Sequence, residues 1–229
     1  MQLDRLWLTD FRSYREADVS LAPGLTAIVG PNGEGKSNLL EAIGWLGGTR
    51  SFRGAPTEAL VRVGAERAVV RGEAERAGRT LLIECEIAPG GRSRVLVNRN
   101  PVRRARDGLD HLRAVVFSPD DLELVKGGPS ERRRYLDDLL VGLDPRLDAR
   151  RSDLDRILKQ RSALLKQAGG RLTDDVATTL EVWDSRLAAV GDAWADARAE
   201  LVAALIPEVA TAYRDLAGTG DVALTYAPA

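Results

Sequence analysis

Eight consecutive residues near the N-terminus have the types and spacing of a phosphate-binding loop, which is Gly, four residues, then Gly-Lys-Ser/Thr. Glycines let the backbone turn tightly and approach phosphate oxygens, while the lysine reaches the β- and γ-phosphates. The serine hydroxyl is a ligand for Mg²⁺. This pattern predicts a site for a nucleoside triphosphate with magnesium. Its residues are Gly30, Pro31, Asn32, Gly33, Glu34, Gly35, Lys36 and Ser37.

The segments on either side of this loop have the character that such a site needs. Residues 25–29 are an apolar, β-branched run that predicts a buried strand. Residues 38–46 predict a helix with Leu39, Ile43 and Leu46 on one face. Backbone N–H groups and the positive end of this helix would then face the anion together. The alternative is an ordinary glycine turn that opens a helix.

Composition restricts the class of protein. The chain has 229 residues, 44 % hydrophobic and 29 % charged, with a formal net charge of −1, which is typical of one large or two small globular domains. We find no apolar run that could span a membrane and no secretory signal. The single Cys85 and the single His111 exclude an intrachain disulfide and a Cys/His zinc site. These features predict a cytoplasmic protein, and the net charge gives no bulk argument for nucleic-acid binding.

Periodicity predicts an α/β fold with antiparallel hairpins, followed by a helical lobe. Two β segments precede the loop, and three more strands alternate through residues 68–98. Helices then begin near Pro129 and after Thr173, the latter with an apolar seam that fits either a helical bundle or a coiled coil. We predict a lobe that contains the phosphate loop, a helical lobe and the start of a further strand, over residues 1–128, 129–220 and 221–229.

Two groups of residues have alternative interpretations. Asp120 and Asp121 follow the apolar run 114–117, a predicted buried strand, so they could hold Mg²⁺ or cap a short helix. Basic residues in two loop-like stretches could contact DNA phosphates or be solvated. Those stretches are residues 51–54 and residues 98–106, the latter with Arg103, Arg104 and Arg106.

Several segments together resemble the ATPase heads of the SMC and ABC type and, within that group, the RecF family. Residues 6–14 followed by the phosphate loop carry the general resemblance. Three later segments are similar to RecF blocks and lie in the same order over nearly the whole chain. They are residues 117–127, 132–137 and 159–166.

This resemblance adds residues to the predicted nucleotide site. It implies that Arg12 faces the phosphates and that Asn32 approaches the γ-phosphate, for which a guanidinium and an amide are suitable donors. It also implies that residues 1–128 are part of an ABC/SMC-type P-loop ATPase head with a mixed sheet, to which the strand that begins at residue 221 returns. The predicted site comprises Arg12, the loop and the adjoining Asn38, with Ser37 on Mg²⁺ and ATP as the nucleotide.

The resemblance further implies a DNA repair function. Such heads dimerise with ATP between them, bind gapped DNA or single/double-strand junctions, and work with RecO and RecR to load recombinase. We find no ABC signature helix, no strand ending in the metal-binding Asp and no catalytic acid in residues 1–229, and we therefore expect an N-terminal portion with very weak hydrolysis. The alternatives are a self-contained phosphotransferase that uses Asp120 or Asp121 with Mg²⁺, and a DNA-binding module with a vestigial loop.

Overall fold

The computed structural model describes residues 1–90, 93–102 and 112–227. Within it the chain divides into two compact units, Met1–Leu122 and Glu123–Ala229. The boundary that we predict from the sequence, after Gly128, falls slightly later. The three-part division therefore stays a prediction, and each unit is described by itself.

The first unit is built on a six-stranded sheet in the order β2-β1-β3-β4-β5-β6. Every strand pair in the described part of the sheet is antiparallel. The α/β class and the antiparallel hairpins are thus confirmed. The strands are β1 (Gln2–Phe11), β2 (Tyr14–Ser20), β3 (Ala68–Arg76), β4 (Arg79–Ile87), β5 (Arg94–Val97) and β6 (Asn100–Pro101).

Tight turns set the register of this sheet. Ala77 and Gly78 both have positive φ and join β3 to β4, so that Arg76 pairs with Arg79. Two-residue turns of this kind match the twist of the flanking strands. Along β4 the buried side chains alternate, and Cys85 is among them, which makes it a core residue. Burial, with a smaller effect of the neighbouring Glu84, raises the pKa of the Cys85 thiol to about 12.

Helix α1 (Lys36–Gly48) follows the phosphate loop and packs against the sheet. Leu39, Ala42 and Leu46 are buried on this face. Gly72 on β3 allows the close approach, since a Cβ there would lie 2.7 Å from a methyl carbon of Leu46. Packing of α1 on β3 therefore fixes the position of the helix whose first turn follows the loop.

Two of the buried strands predicted from the sequence are absent. Residues 25–29 and 114–117 belong to no strand of the described sheet, and Leu25, Val115 and Phe117 are 95 %, 100 % and 91 % exposed. A strand requires a neighbour for its hydrogen bonds, and within the described ranges neither segment has one. An apolar run indicates a preference for burial but does not identify its partner. Both predictions of buried strands are therefore wrong for this chain.

The predicted strand near the C-terminus is absent for the same reason. Residues 221–227 join no ladder, and the last two residues of the predicted segment lie outside the described part of the chain. A return of this segment to the first unit stays a prediction.

The second unit consists of helices, as predicted. Thr173 Oγ accepts the N–H of Val176 and caps the last helix, which continues through Pro207. The core contains Leu140 and Trp194, whose indole donates a 2.8 Å hydrogen bond to Asp137. Intrachain packing thus accounts for the apolar seam. The helices are α2 (Glu123–Lys126), α3 (Pro129–Leu143), α4 (Leu147–Ala168) and α5 (Asp174–Ala217).

None of the helices in the described ranges combines the length and the apolar character that a membrane crossing requires.

Truncating leucines inside and outside the core should have different effects on stability. Leu8 on β1 is 2 % exposed, and Leu8→Ala should cost about 2–5 kcal/mol of unfolding free energy. Leu25→Ala removes the same atoms from a side chain that is 95 % exposed, and should cost at most about 0.5 kcal/mol. Urea unfolding measures both values. Equal costs would show that Leu25 is buried in solution and would contradict the structure.

Candidate nucleotide-binding site

The phosphate loop adopts a conformation that only glycine reaches easily. Gly30, Gly33 and Gly35 have φ values of 154°, 92° and 94°. At Gly35 space is also short, because a Cβ would lie 2.7 Å from Ser13 Oγ. The loop thus bends under the turn between β1 and β2. Tyr14 in that hairpin donates a 3.2 Å hydrogen bond to the Gly35 carbonyl.

The N-terminus of α1 is available to an anion. Gly35 is the capping residue and has no side chain to cap with, and the first turn carries no acidic residue. The first N–H groups of a helix have no acceptor within the helix and carry its positive end charge. A phosphate at this position would receive both contributions.

Lys36 lies over the bend of the loop. Its ammonium donates hydrogen bonds to the carbonyls of Gly30 at 2.8 Å and Pro31 at 2.6 Å. An oxyanion at the mouth of the loop would offer this ammonium a charged acceptor in place of neutral carbonyls, which makes a stronger hydrogen bond. Asn32, Glu34 and Ser37 are exposed around it. The structure thus brings the loop residues together, and their contacts with a nucleotide stay a prediction.

Arg12 forms a buried ion pair that the sequence did not indicate. Its Nε and Nη2 donate to the two carboxylate oxygens of Glu41 at 2.8 and 2.7 Å, and Nη1 donates to the Ala59 carbonyl at 2.8 Å. Glu41 is completely buried, and the Arg12 side chain is 18 % exposed. The guanidinium lies beside the helix that follows the loop, and its predicted contact with phosphate stays a prediction.

Glu41 also anchors the turn that follows α1. Ser51 Oγ donates to Glu41 and accepts the N–H groups of Arg53 and Ala55 at 3.1 and 3.2 Å. Arg53 Nη1 then donates to Asn38 Oδ1 at 3.1 Å and lies 3.8 Å from Glu41 Oε2. This turn, residues 51–55, contains the basic stretch of residues 51–54, and in the structure it is attached to α1.

The charge of Glu41 is stabilised by these donors. Burial alone would raise the pKa of this carboxyl. Hydrogen bonds from Arg12 and Ser51, together with the positive charges of Arg12 and Arg53, outweigh burial and hold the pKa of Glu41 below its ordinary value. Glu41 is therefore an ionised carboxylate inside the protein at neutral pH.

Glu41, Ser51 and Arg53 are not among the site residues predicted from the sequence, although Ser51 and Arg53 lie in the basic stretch of residues 51–54. One signal was present, since Glu41 is a charged residue on an otherwise apolar stretch of the helix. Glutamate is almost never fully buried unless it is paired, so its position could have prompted a search for a cation. The identity of the partners depends on tertiary contacts and was not available from spacing.

The remaining candidates lie outside this group. Asp121 Oδ2 accepts the N–H of Ser118, the residue before the short 3₁₀ helix Pro119–Leu122, and this contact favours the capping interpretation. Among the described residues we find no cluster of His, Cys, Asp and Glu that could hold a metal ion by itself. The predicted DNA contacts Arg103, Arg104 and Arg106 lie outside the described residues.

Comparison with protein families and curated sequences gives consistent matches. Residues 2–165 match the family described as RecF/RecN/SMC N terminal domain. "DNA replication and repair protein RecF" of Kineococcus radiotolerans is 51 % identical, over 99 % of this chain and 59 % of the relative. The protein of the same name from Streptomyces avermitilis is 47 % identical, over 100 % of this chain and 62 % of the relative. The chain therefore spans about three fifths of the length of these relatives.

Solved structures match over similar ranges. A structure of the recombination mediator protein RecF-ATPrS in the RecFOR pathway superposes with a TM-score of 0.86 at 30 % identity, over 94 % of this chain and 58 % of that chain. A structure from work on ATP-driven dimerization and DNA stimulated activation of SMC ATPases gives a TM-score of 0.51 at 28 % identity, over 61 % of this chain and 99 % of that chain. The predicted head fold is thereby confirmed.

Replacing Gly35 should damage the loop specifically. Gly35→Ala adds a methyl group at positive φ and 2.7 Å from Ser13 Oγ, so the loop must shift. Gly78→Ala is the matched control, because it has the same backbone cost at φ 73° in a hairpin with nothing within 4 Å. The strained backbone should cost each variant about 1–2 kcal/mol of unfolding free energy. Only Gly35→Ala should also lose binding of a ligand that carries phosphate groups, as measured by calorimetry. Equal binding by both variants would contradict a role for loop geometry.

The contribution of Glu41 to stability should disappear in acid. Because its folded pKa is lowered, the contribution is complete above the ordinary carboxyl pKa of about 4.3 and is lost as pH falls through the folded pKa. Glu41→Gln should therefore cost about 2–3 kcal/mol at neutral pH and progressively less in acid. Denaturant unfolding of both proteins across pH measures this difference. A difference that stays constant or grows in acid would contradict the ionised carboxylate.

Proposed function

The chain belongs to the RecF/RecN/SMC N-terminal domain family, and from this premise we propose that it binds ATP with Mg²⁺ at the loop Gly30–Ser37 as part of a RecF-type DNA repair protein. The observation that carries the proposal is the loop itself. Its three glycines at positive φ, the uncapped N-terminus of α1 and the Lys36 ammonium converge on one concave turn. The match to RecF structures with ATP and ATPrS supports the choice of nucleotide.

Each side chain of the loop has a chemically suitable role. The Lys36 ammonium neutralises the β- and γ-phosphates, and the exposed Asn32 amide donates to the γ-phosphate. Ser37 offers one hydroxyl to Mg²⁺, which takes its other ligands from phosphate oxygens and water. Arg12, whose charge is paired with Glu41, is proposed to face the phosphates from its place against α1. The loop N–H groups and the helix end complete the anion site.

We further propose that ATP controls association of two copies and that the protein binds DNA at gaps or single/double-strand junctions. The names of the curated relatives support replication and repair, and the matched SMC structure comes from work on ATP-driven dimerization. In such a mechanism ATP binding closes the dimer and its loss opens it. The proposed partners are mediator proteins of the RecO and RecR type, and the proposed result is that recombinase is loaded onto the DNA. Both proposals are supported by the matched RecF structures, which are described as part of the RecFOR pathway.

Lysine replacement tests the nucleotide site. Lys36→Ala removes the ammonium from the loop and should weaken binding of ATP with Mg²⁺ at least about tenfold, which is about 1.4 kcal/mol. Lys166→Ala on α4 removes the same charge from the second unit and should bind as the wild type does. Titration with a fluorescent ATP analogue measures all three proteins. Binding that is equal in Lys36→Ala and wild type would overturn the assignment of the site.

The same proteins test the wider proposal. Wild type and Lys166→Ala should show ATP-dependent changes in sedimentation and in affinity for a gapped duplex, and Lys36→Ala should show neither. Sedimentation and DNA affinity that do not respond to ATP in any protein, despite nucleotide binding, would overturn the proposed control of dimerisation and DNA binding while leaving the nucleotide site in place.

A further inference from the structure

The most unusual group in the first unit is the Glu41 carboxylate. It is completely buried in a helix that otherwise buries apolar side chains, and its polar contacts within the described part of the chain are with side chains of two turns that lie beside α1. We call them the first turn, residues 11–14 between β1 and β2, and the second turn, residues 51–55 after α1. An apolar residue would fill this position without the need for a cation. The charge therefore has a role beyond filling space.

Two polar bridges connect these turns across α1, one helical turn apart. In the first bridge, Asn38 receives a hydrogen bond from Arg53 of the second turn and donates one to Ser13 of the first turn at 3.0 Å. In the second bridge, Glu41 accepts from Ser51 of the second turn and from Arg12 of the first turn. Residues three apart on a helix lie on the same face, so the bridges reinforce one another.

Both bridges lead to the loop. Arg12 is held by Glu41 and is followed directly by Ser13 and Tyr14, which lie against Gly35 at the end of the loop. The second turn, held through Ser51, places Arg53 against Asn38, which is the third residue of α1. The attachment of both turns to Glu41 thereby confines the end of the loop from two sides.

We propose that Glu41 is a positioning residue for the nucleotide site: its buried charge holds the first and second turns against Gly35 and Asn38 and keeps the loop in its binding conformation. This proposal rests on the proposed function, since it concerns the same site. A loop that is binding-competent only part of the time binds more weakly in proportion to that fraction. Loss of the charge should therefore reduce affinity for nucleotide without removing any atom from the site.

A purely structural role would give a different result. If Glu41 contributed only to stability, Glu41→Gln would unfold at lower denaturant concentration, but its folded molecules would bind ATP as the wild type does. Affinity of the folded protein therefore separates the two roles, provided that binding is measured well below the thermal midpoint of every variant and that folding is verified by circular dichroism.

A double-mutant cycle tests whether Glu41 acts through Arg12. Four proteins are compared by calorimetric titration with ATP and Mg²⁺: wild type, Glu41→Gln, Arg12→Gln and the double variant. We expect each single variant to bind at least about tenfold more weakly, and the double variant to bind about as weakly as the weaker single variant, because one interaction is lost in all three. If the loss of affinity in the double variant equalled the product of the two single losses, action of Glu41 through Arg12 would be overturned.

Two further proteins complete the experiment. Glu84→Gln neutralises a carboxylate that pairs with Arg71 on the exposed side of the sheet, and it should bind ATP as the wild type does. Ser51→Ala removes the hydroxyl that donates to Glu41 and that accepts the N–H groups of Arg53 and Ala55 within the second turn, and it should weaken binding in the same direction by a smaller factor. If Glu41→Gln does not fold, Ser51→Ala decides the question, because unchanged affinity in Ser51→Ala would then overturn the proposal.

Failure of this proposal differs from failure of the proposed function. Wild-type affinity for Glu41→Gln, together with weak binding by Lys36→Ala, would remove the positioning role and leave the nucleotide site intact. Absence of ATP binding by the wild type would overturn both.

Discussion

A carboxylate without access to water must be surrounded by donors, and in the first unit this requirement falls on Glu41. Its two oxygens take donors from Arg12, before the phosphate loop, and Ser51, after α1. Chain segments that are distant in sequence are thereby held on one helix. Arg12 itself has φ 53°, and its N–H donates to the Leu60 carbonyl at 2.8 Å, so the turn that carries it is fixed from a third side. The loop lies within this frame, between a sheet that fixes α1 and turns that border its end.

Local spacing was sufficient to predict much of this unit. The glycines of the loop require positive φ, which is why their positions alone indicated its shape. Strands β3 and β4 followed from alternation over residues 68–88, and the helices of the second unit followed from apolar periodicity and the Thr173 cap. In each case the determining interactions lie within a few residues, where sequence patterns contain the relevant physics.

Features that depend on distant partners were predicted poorly. Residues 25–29 and 114–117 have the composition of buried strands, yet Leu25 and Val115 are exposed because pairing is a property of neighbours and not of a run. Arg12 was assigned to the nucleotide on resemblance alone, and its salt bridge to Glu41 could not be read from residues so far apart in the chain. Ser51 and Arg53 were interpreted as a basic loop for the same reason.

The polar contacts of Asp137 determine how α5 is aligned along its axis in the second unit. Trp194 donates to Asp137 at 2.8 Å, and Arg198 binds the same carboxylate through two nitrogens at 2.7 and 2.8 Å. Displacement of α5 along its axis by one heptad would keep apolar contacts, since Leu187 and Leu201 flank Trp194 at that spacing. The same displacement would, however, place Gly191 or Leu205 at the position of Arg198. The Asp137 carboxylate would then face apolar atoms in place of its charged partner. Asp137 therefore selects one alignment of α5 among several that apolar contacts alone would allow.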